Sequence, residues 1–279
     1  MPAINYGSAT LGQVDEKYFA EAKTNDLVNN GDIRLEWHGK QTLTIYTIDV
    51  VPENDYIRDG RDRFGEPVEL GNQVQTFTLS QDKAVSVTVD RGNREDADLV
   101  LDAKKHSFRQ VREVSVPTTD KYRLNIAFAY AVVNSQGATS TTSNTDMYQK
   151  FLTQQAALDD ALVPEEGRVA LFTPTALNKM KRDAEYKRES DASYKDMKTG
   201  TVAMIDGTEI RKVPTSYLPA NSTFLLLHKD VLISPTKFNM IRILTEVAGL
   251  DGALLEMRRY YDCFIPKNKG TAIRFHKES

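Results

Sequence analysis

The chain of 279 residues carries 36 basic and 39 acidic side chains, a formal net charge of -3, and 40% of its residues are apolar. That apolar share supplies a sizeable core and excludes a wholly disordered chain; the near-neutral balance excludes the strongly basic surface of a protein that grips phosphate backbones. Cys263 is the single cysteine, which rules out an intrachain disulfide and Cys-rich metal clusters, leaves packing to hold the fold, and fits a reducing compartment. Residues 1–24 hold acids and tyrosines without a continuous apolar run, so neither a signal nor a transit peptide is expected. No segment approaches the roughly 20 apolar residues of a membrane helix, and the expectation is a soluble cytoplasmic protein.

In chain order, residues 1–30 are polar and weakly patterned, with Tyr18, Phe19, Leu27 and Val28 as the available anchors, which suits an arm lying on another surface. Residues 42–51 are rich in β-branched and aromatic side chains and predict a strand. Residues 52–71 combine Gly60, Gly65 and Gly71 with the charges of Arg58, Asp59, Arg61, Asp62, Arg63 and Glu66, and read as a long exposed loop. Two alternating segments follow at 74–79 and 84–89, the second with Val85, Val87 and Val89 opposite Ser86 and Thr88, joined by a turn at 80–83. Together these segments predict an extended β excursion with a charged tip.

The period then changes. Ala97, Val100, Leu101, Phe108 and Val111 fall within about 100° on a helical wheel, Asn93 suits the N-cap, Glu95 and Asp96 the positive end, and Arg109 and Arg112 the negative end. Pro117 is expected to stop this one-sided helix. Further helices are expected at 120–133 and 146–162, separated by a flexible Gly/Ser/Thr/Asn loop at 134–145. Residues 168–172 read as a short strand, and Thr173-Pro174 starts a helix with a capping hydroxyl and a proline at its first position. A polar loop at 185–200 precedes the sharpest local signal, a hairpin over 201–213 turned by Asp206-Gly207. Strands are expected at 224–227, 240–247, 258–265 and 271–275, the last after a turn at Lys269-Gly270. The sum is an interleaved α+β chain without internal repeats.

This order of arm, β excursion, long helix and compact α/β region resembles a tailed-phage major capsid protein of the Hong Kong type. Residues 77–123 are similar to the family pattern at Asp82-Lys83, at Asp90, and at Val116, Pro117, Asp120, Tyr122 and Arg123. A second similar run extends from Val163-Pro164 to Thr173-Pro174 and through the hairpin at 200–214, and a third is Arg259-Tyr260-Tyr261-Asp262, before Lys269-Gly270. The resemblance implies an α+β Hong Kong-type phage capsid fold with five parts. These are an N-terminal arm (1–35), an extended β-hairpin or E-loop (36–92), the spine helix of a peripheral domain (93–116), an axial domain (117–235), and C-terminal strands returning to the peripheral domain (236–279).

It further implies a structural subunit rather than an enzyme. Such a subunit assembles as pentamers and hexamers into an icosahedral shell in the host bacterial cytoplasm and becomes the virion capsid. The implied partners are the subunit itself, a scaffolding protein, a portal protein and enclosed double-stranded DNA, with no membrane and no cofactor. No scaffolding extension is evident at the N-terminus, so a separate scaffold is expected. The loop tip, with Arg58, Asp59, Arg61, Asp62, Arg63 and Glu66, would touch the next subunit. Some family members tie this loop covalently to a neighbour through Lys and Asn; residues 51–71 contain no lysine, and Lys40 and Lys83 flank them. An encapsulin-like shell around protein cargo is the nearest rival, and a hydrolase is the rival from another class.

Catalytic chemistry finds little to build on. His38, His106, His228 and His276 lack metal-ligand spacing, and neither a phosphate-binding glycine loop nor a Gly-x-Ser-x-Gly elbow occurs. Cys263 lies in an apolar segment and reads as a buried structural thiol. No catalytic, cofactor-binding or metal-binding residue is assigned.

Overall fold

The computed structural model describes residues 22–29, 35–38, 41–59, 61, 63–96, 103–183, 186, 201–245 and 247–279. The chain divides into two compact units, Gly31–Ser80 and the remainder, Met1–Asn30 with Gln81–Ser279. The first unit is an antiparallel sheet of β1 (Leu35–His38), β2 (Thr42–Ile48) and β3 (Asn72–Thr78), ordered β1-β2-β3. β2 and β3 pair without a break from Thr42↔Thr78 to Ile48↔Asn72, and the Asp49 N–H donates to the Gly71 carbonyl at 3.1 Å where the strands part. Leu43 and Ile45 are buried, whereas Tyr46, Ile48 and Val74 stay exposed.

The second unit begins with β4 (Gln81–Asp90), α1 (Arg91–Asp96), α2 (Ala103–Gln110) and, after a π turn at Val111–Ser115, α3 (Val116–Val133). It continues with β5 (Gly137–Thr139), α4 (Met147–Asp159), β6 (Arg168–Phe172), α5 (Pro174–Arg182), β7 (Thr201–Ile205) and β8 (Thr208–Lys212). β9 (Ser222–His228), β10 (Thr236–Leu244), β11 (Gly252–Tyr261) and β12 (Ile273–Lys277) complete it. β4 pairs along its whole length with β11, in a sheet ordered β10-β11-β4. The expectation that 74–79 and 84–89 share one excursion is therefore corrected: both are strands, but the second is claimed by a partner far along the chain.

The long helix also differs from its expectation in three ways. Asp90, not Asn93, caps it, because Asp90 Oδ1 accepts from the Asn93 N–H at 3.2 Å. Pro117 does not end it, and the helical path runs on to Val133. In the π turn the Val116 N–H reaches back to the Val111 carbonyl, and the widened backbone admits a proline ring that a regular turn would press against the Glu113 carbonyl. Thr118 and Thr119 then donate their hydroxyls to the carbonyls of Val114 and Ser115 at 2.6 and 2.9 Å. Finally, Val111 packs on Leu255 and Met257 as the apolar stripe requires, but Phe108 is 60% exposed. Ala97, Val100 and Leu101 lie outside the described residues.

The main core surrounds a six-stranded mixed sheet ordered β5-β12-β9-β6-β8-β7. Side chains alternate along its central strands. Val169, Leu171, Leu225, Leu227, Ile273 and Phe275 pack with Leu124, Ala127, Phe128 and Ala131 of α3. Ala170, Phe172, Phe224 and Leu226 pack with Tyr148 and Phe151 of α4 and with Leu177 and Met180 of α5. A strand covered on both faces reads as an unbroken apolar run, as Phe224-Leu225-Leu226-Leu227 does. The Asp206-Gly207 hairpin forms as expected, with φ of 43° and 73°. Thr173 caps α5 by accepting from the Ala176 N–H at 3.4 Å. The loop expected at 134–145 is partly ordered, because β5 adds to the sheet edge in parallel with β12. Gly137 has no room for a side chain there: a Cβ would lie 2.1 Å from the Phe275 carbonyl oxygen.

Phe224→Ala, at 0% exposure, is expected to cost about 3–5 kcal/mol in denaturant unfolding. Phe108→Ala should change the stability of the free chain by no more than about 0.5 kcal/mol.

Candidate functional site

In the Gly31–Ser80 unit the loop between β2 and β3 is drawn together by local contacts. The Ile57 N–H donates to the Arg63 carbonyl at 3.0 Å, and Tyr56 and Phe64 meet edge to face at 5.0 Å. Gly65 supplies the positive φ of 86° that returns the chain. Arg58, Asp59, Arg61 and Arg63 are exposed at this apex and Glu66 is exposed just beyond it; Asp62 lies outside the described residues. Arg58, Asp59, Arg61 and Glu66 make no ion pair within the described residues.

What the charges obscure is the apolar surface beside them. Ile48 (69%), Val50 (95%), Phe64 (84%), Val68 (66%) and Leu70 (69%) are exposed, joined by Tyr56 and Ile57. Of the twenty-one large apolar side chains exposed among the described residues, ten lie between Tyr46 and Val74. So dense an apolar set on one excursion is more than the scattered single exposures of an ordinary surface. Its sequence signal was the alternation of Tyr46, Ile48 and Val50, which names a strand face without saying what covers it.

The second unit secures the segment 22–29 with buried charges. Arg211, 2% exposed, donates from Nη1 to Asp26 Oδ1 at 2.8 Å and from Nε to Glu209 Oε1 at 3.0 Å. Burial pulls the Arg211 guanidinium down, but its hydrogen bonds to Asp26 and Glu209 outweigh that and raise it further above its ordinary value. Asp120, 1% exposed, accepts from the Thr24 hydroxyl at 2.5 Å and the Lys23 N–H at 2.8 Å. Leu27 enters the core, and the Asn29 N–H donates to the Leu232 carbonyl at 2.9 Å.

Two of the family-like motifs, far apart in sequence, meet at the base of α3. The Tyr122 hydroxyl donates to Asp262 Oδ1 at 2.6 Å, and Tyr122 and Tyr261 stand edge to face at 6.0 Å. Arg259 donates from Nη1 to the Thr119 hydroxyl at 3.1 Å and to the Ser115 carbonyl at 3.4 Å. Beside these contacts is a cavity of about 180 Å³ lined by Asn25, Thr119, Asp120, Arg123, Asn239, Arg259 and Tyr261, among others. Cys263, fully buried nearby, has its thiol pushed up to about 12 by burial, which makes it inert.

His276 is fully buried and stacked on Phe224 at 5.6 Å. The Thr223 hydroxyl donates to the His276 carbonyl at 2.8 Å, which leaves the ring to donate from Nδ1 to Thr223 and accept at Nε2 from Ser140, at 2.7 and 3.0 Å. Burial lowers its pKa, Lys150 lowers it further, and Asp146 and Glu278 oppose. Among the described residues no group of three or more His, Cys, Asp or Glu converges as a metal site, and no helix is long and apolar enough to cross a membrane.

No protein-family model and no curated protein sequence matches the chain. Solved structures do. The capsid structure of the Cyanophage P-SCSP1u matches with a TM-score of 0.72 at 12% identity, over 98% of this chain and 93% of that one. A Mycobacterium phage Che8 structure matches with 0.67 at 17% identity, over 97% and 96%. The asymmetric unit of the bacteriophage PhiM1 mature capsid matches with 0.66 at 11% identity, over 99% and 92%. The mixed helix-and-sheet architecture described above is thus the fold of phage capsid structures, end to end. At these identities the likeness is one of fold.

Neutral His276 gives a pH test. Its folded pKa is lowered, so the unfolded chain takes up the proton first, near pH 6.5, and stability falls as the pH drops below that value. His276→Gln should flatten the decline in unfolding midpoint between about pH 7 and pH 5.5, whatever its effect at neutral pH.

Proposed function

We propose that this chain is the major capsid protein of a tailed phage, a subunit that assembles with copies of itself into a closed shell. The observation that carries this reading is the near-complete coverage, in both directions, between this chain and several phage capsid structures. The exposed apolar excursion adds a physical reason for assembly, because a free chain leaves that surface in water. The shell is icosahedral, built from pentamers and hexamers, and encloses double-stranded DNA, with a scaffolding protein and a portal as partners. Assembly takes place in the host bacterial cytoplasm, and the finished protein resides in the virion.

Within the subunit, Gly31–Ser80 is the E-loop unit, α1, α2 and the π turn belong to the spine of the peripheral domain, and the six-stranded sheet with α3, α4 and α5 is the axial domain. The sheet of β10, β11 and β4 is the peripheral platform. Arg58, Asp59, Arg61, Asp62, Arg63 and Glu66 form the loop tip that meets the neighbouring subunit, with the adjoining apolar side chains supplying most of the attraction.

Expressed with its scaffold, the protein should give closed particles in negative-stain images, containing nucleic acid once packaging is reconstituted; particles filled with protein cargo would indicate an encapsulin-like compartment instead. Replacing 52–71 by a short Gly/Ser turn should leave the melting temperature of the free subunit almost unchanged, since long surface loops contribute little to stability. It should abolish shells. Phe64→Ser, at a side chain 84% exposed, should lower shell yield in the same direction. Normal shells from the loop-replaced chain would overturn the assignment of this loop as the intersubunit arm.

A further inference from the structure

The cavity at the base of α3 contains two guanidinium groups, from Arg123 and Arg259, that form no ion pair with a carboxylate among the described residues. Arg123 donates from Nε to the Ser234 hydroxyl at 3.1 Å, and from Nη1 to the Thr24 hydroxyl at 3.1 Å and Asn25 Oδ1 at 3.0 Å. Every one of these acceptors is neutral. Among the described residues Arg259 donates only from Nη1, to Thr119 and Ser115, and its guanidinium stands 5.3 Å from the Tyr261 ring centre. Among the described residues, therefore, Nη2 of neither arginine has an acceptor, and each can donate to a carboxylate. Asp120 is nearby, but its two oxygens are engaged by Thr24 and the Lys23 N–H, and it forms no ion pair with either arginine. Burial lowers the pKa of Arg123 and the charge of Arg259 lowers it further, while the charges of nearby Asp120, Cys263 and Tyr261 oppose without reversing the shift.

We infer that this cavity is a carboxylate-binding site, and that it receives an acidic side chain from the 49–71 loop of a second copy of this chain. The inference rests on the shell reading above. The size of the cavity, about 180 Å³, suits the end of one side chain and is small for a nucleotide or other cofactor. The loop supplies the matching charge, with seven acidic residues against three arginines between Asp49 and Gly71. Glu53, Asp55, Asp59, Glu66 and Glu69 are all exposed. The apolar side chains between them provide attraction without direction. A carboxylate seated between two arginines fixes the register, as charge pairs do at interfaces.

Shell yield, measured by sedimentation and negative-stain microscopy, tests the pairing. Arg259→Gln and Arg259→Glu should lower yield by about tenfold or more while thermal melting confirms a folded subunit. Reversal of one loop acid, Glu53, Asp55, Asp59, Glu66 or Glu69 to Lys in the Arg259→Glu background, should restore yield and so identify the partner residue. The loop side is free of folding ambiguity because its acids are exposed: a chain with all five changed to the corresponding amides should assemble as poorly as Arg259→Gln. Wild-type yield from Arg259→Gln would overturn the site, and wild-type yield from the five-amide chain would overturn the loop as its source. Failure of the unaltered protein to form any shell would instead remove the capsid reading on which the inference stands.

Discussion

Because Phe224 and Leu226 meet one layer of helices and Leu225 and Leu227 meet the other, β9 has no face left for water, and the larger unit is arranged around that requirement. Neighbouring strands inherit the same division. β6 sends Val169 and Leu171 to the α3 side and Ala170 and Phe172 to the α4 and α5 side, and β12 sends Ile273 and Phe275 to α3. The sheet needs two helical layers, so α3 must be long enough to span its strands and straight enough to stay in contact. The polar end of β12 is kept dry by the same arrangement, and there His276 finds Thr223 and Ser140 in place of water.

The helical run from Ala103 to Val133 serves two sheets. Val111 lies on β11 in the sheet with β4 and β10, whereas Leu124, Ala127, Phe128 and Ala131 lie on the six-stranded sheet. A regular helix keeps one apolar face in a fixed direction. The π turn at Val111–Ser115 adds a residue between the two parts, which re-aims the second face and leaves the Ser115 carbonyl where Arg259 reaches it. The same irregularity thus admits Pro117, divides the helix between its two partners and offers a carbonyl to Arg259.

Local chemistry was the legible part of the sequence. Asp206-Gly207 demanded a turn with positive φ, Thr173-Pro174 demanded a helix start, and the apolar run at 168–172 demanded a buried strand; each is satisfied by atoms within a few residues, and each is present. Pairing partners were not legible. Nothing near Val85 announces that β11 will claim β4, and nothing near Gly137 announces β12. A helical wheel places Phe108 on the stripe with Val111 but cannot say how wide the covering surface is, and the cover ends before Phe108. For the loop at 52–71 the charges were conspicuous and correctly read as exposed. The neighbouring apolar side chains were harder to interpret, because their exposure follows from having no covering element in the same chain. The arginine pair was present within two recognisable motifs, yet only the fold brings Arg123 and Arg259 to one cavity.

The short segment 22–29 has a mechanical meaning. Its attachments are two charged groups, one apolar anchor and one backbone hydrogen bond set at intervals: Thr24 and the Lys23 N–H on Asp120, Asp26 on Arg211, Leu27 in the core, and the Asn29 N–H on the Leu232 carbonyl. Tension that reaches the chain at Lys23 passes through those points in order, first at α3 and then at β8. Bonds loaded one after another peel at lower force than bonds loaded together, so the segment behaves as a zipper with its first tooth at Asp120. A pull from the N-terminal side would therefore open the wall of the arginine cavity, where Asn25 and Thr24 hold Arg123, before it disturbed the sheet beneath.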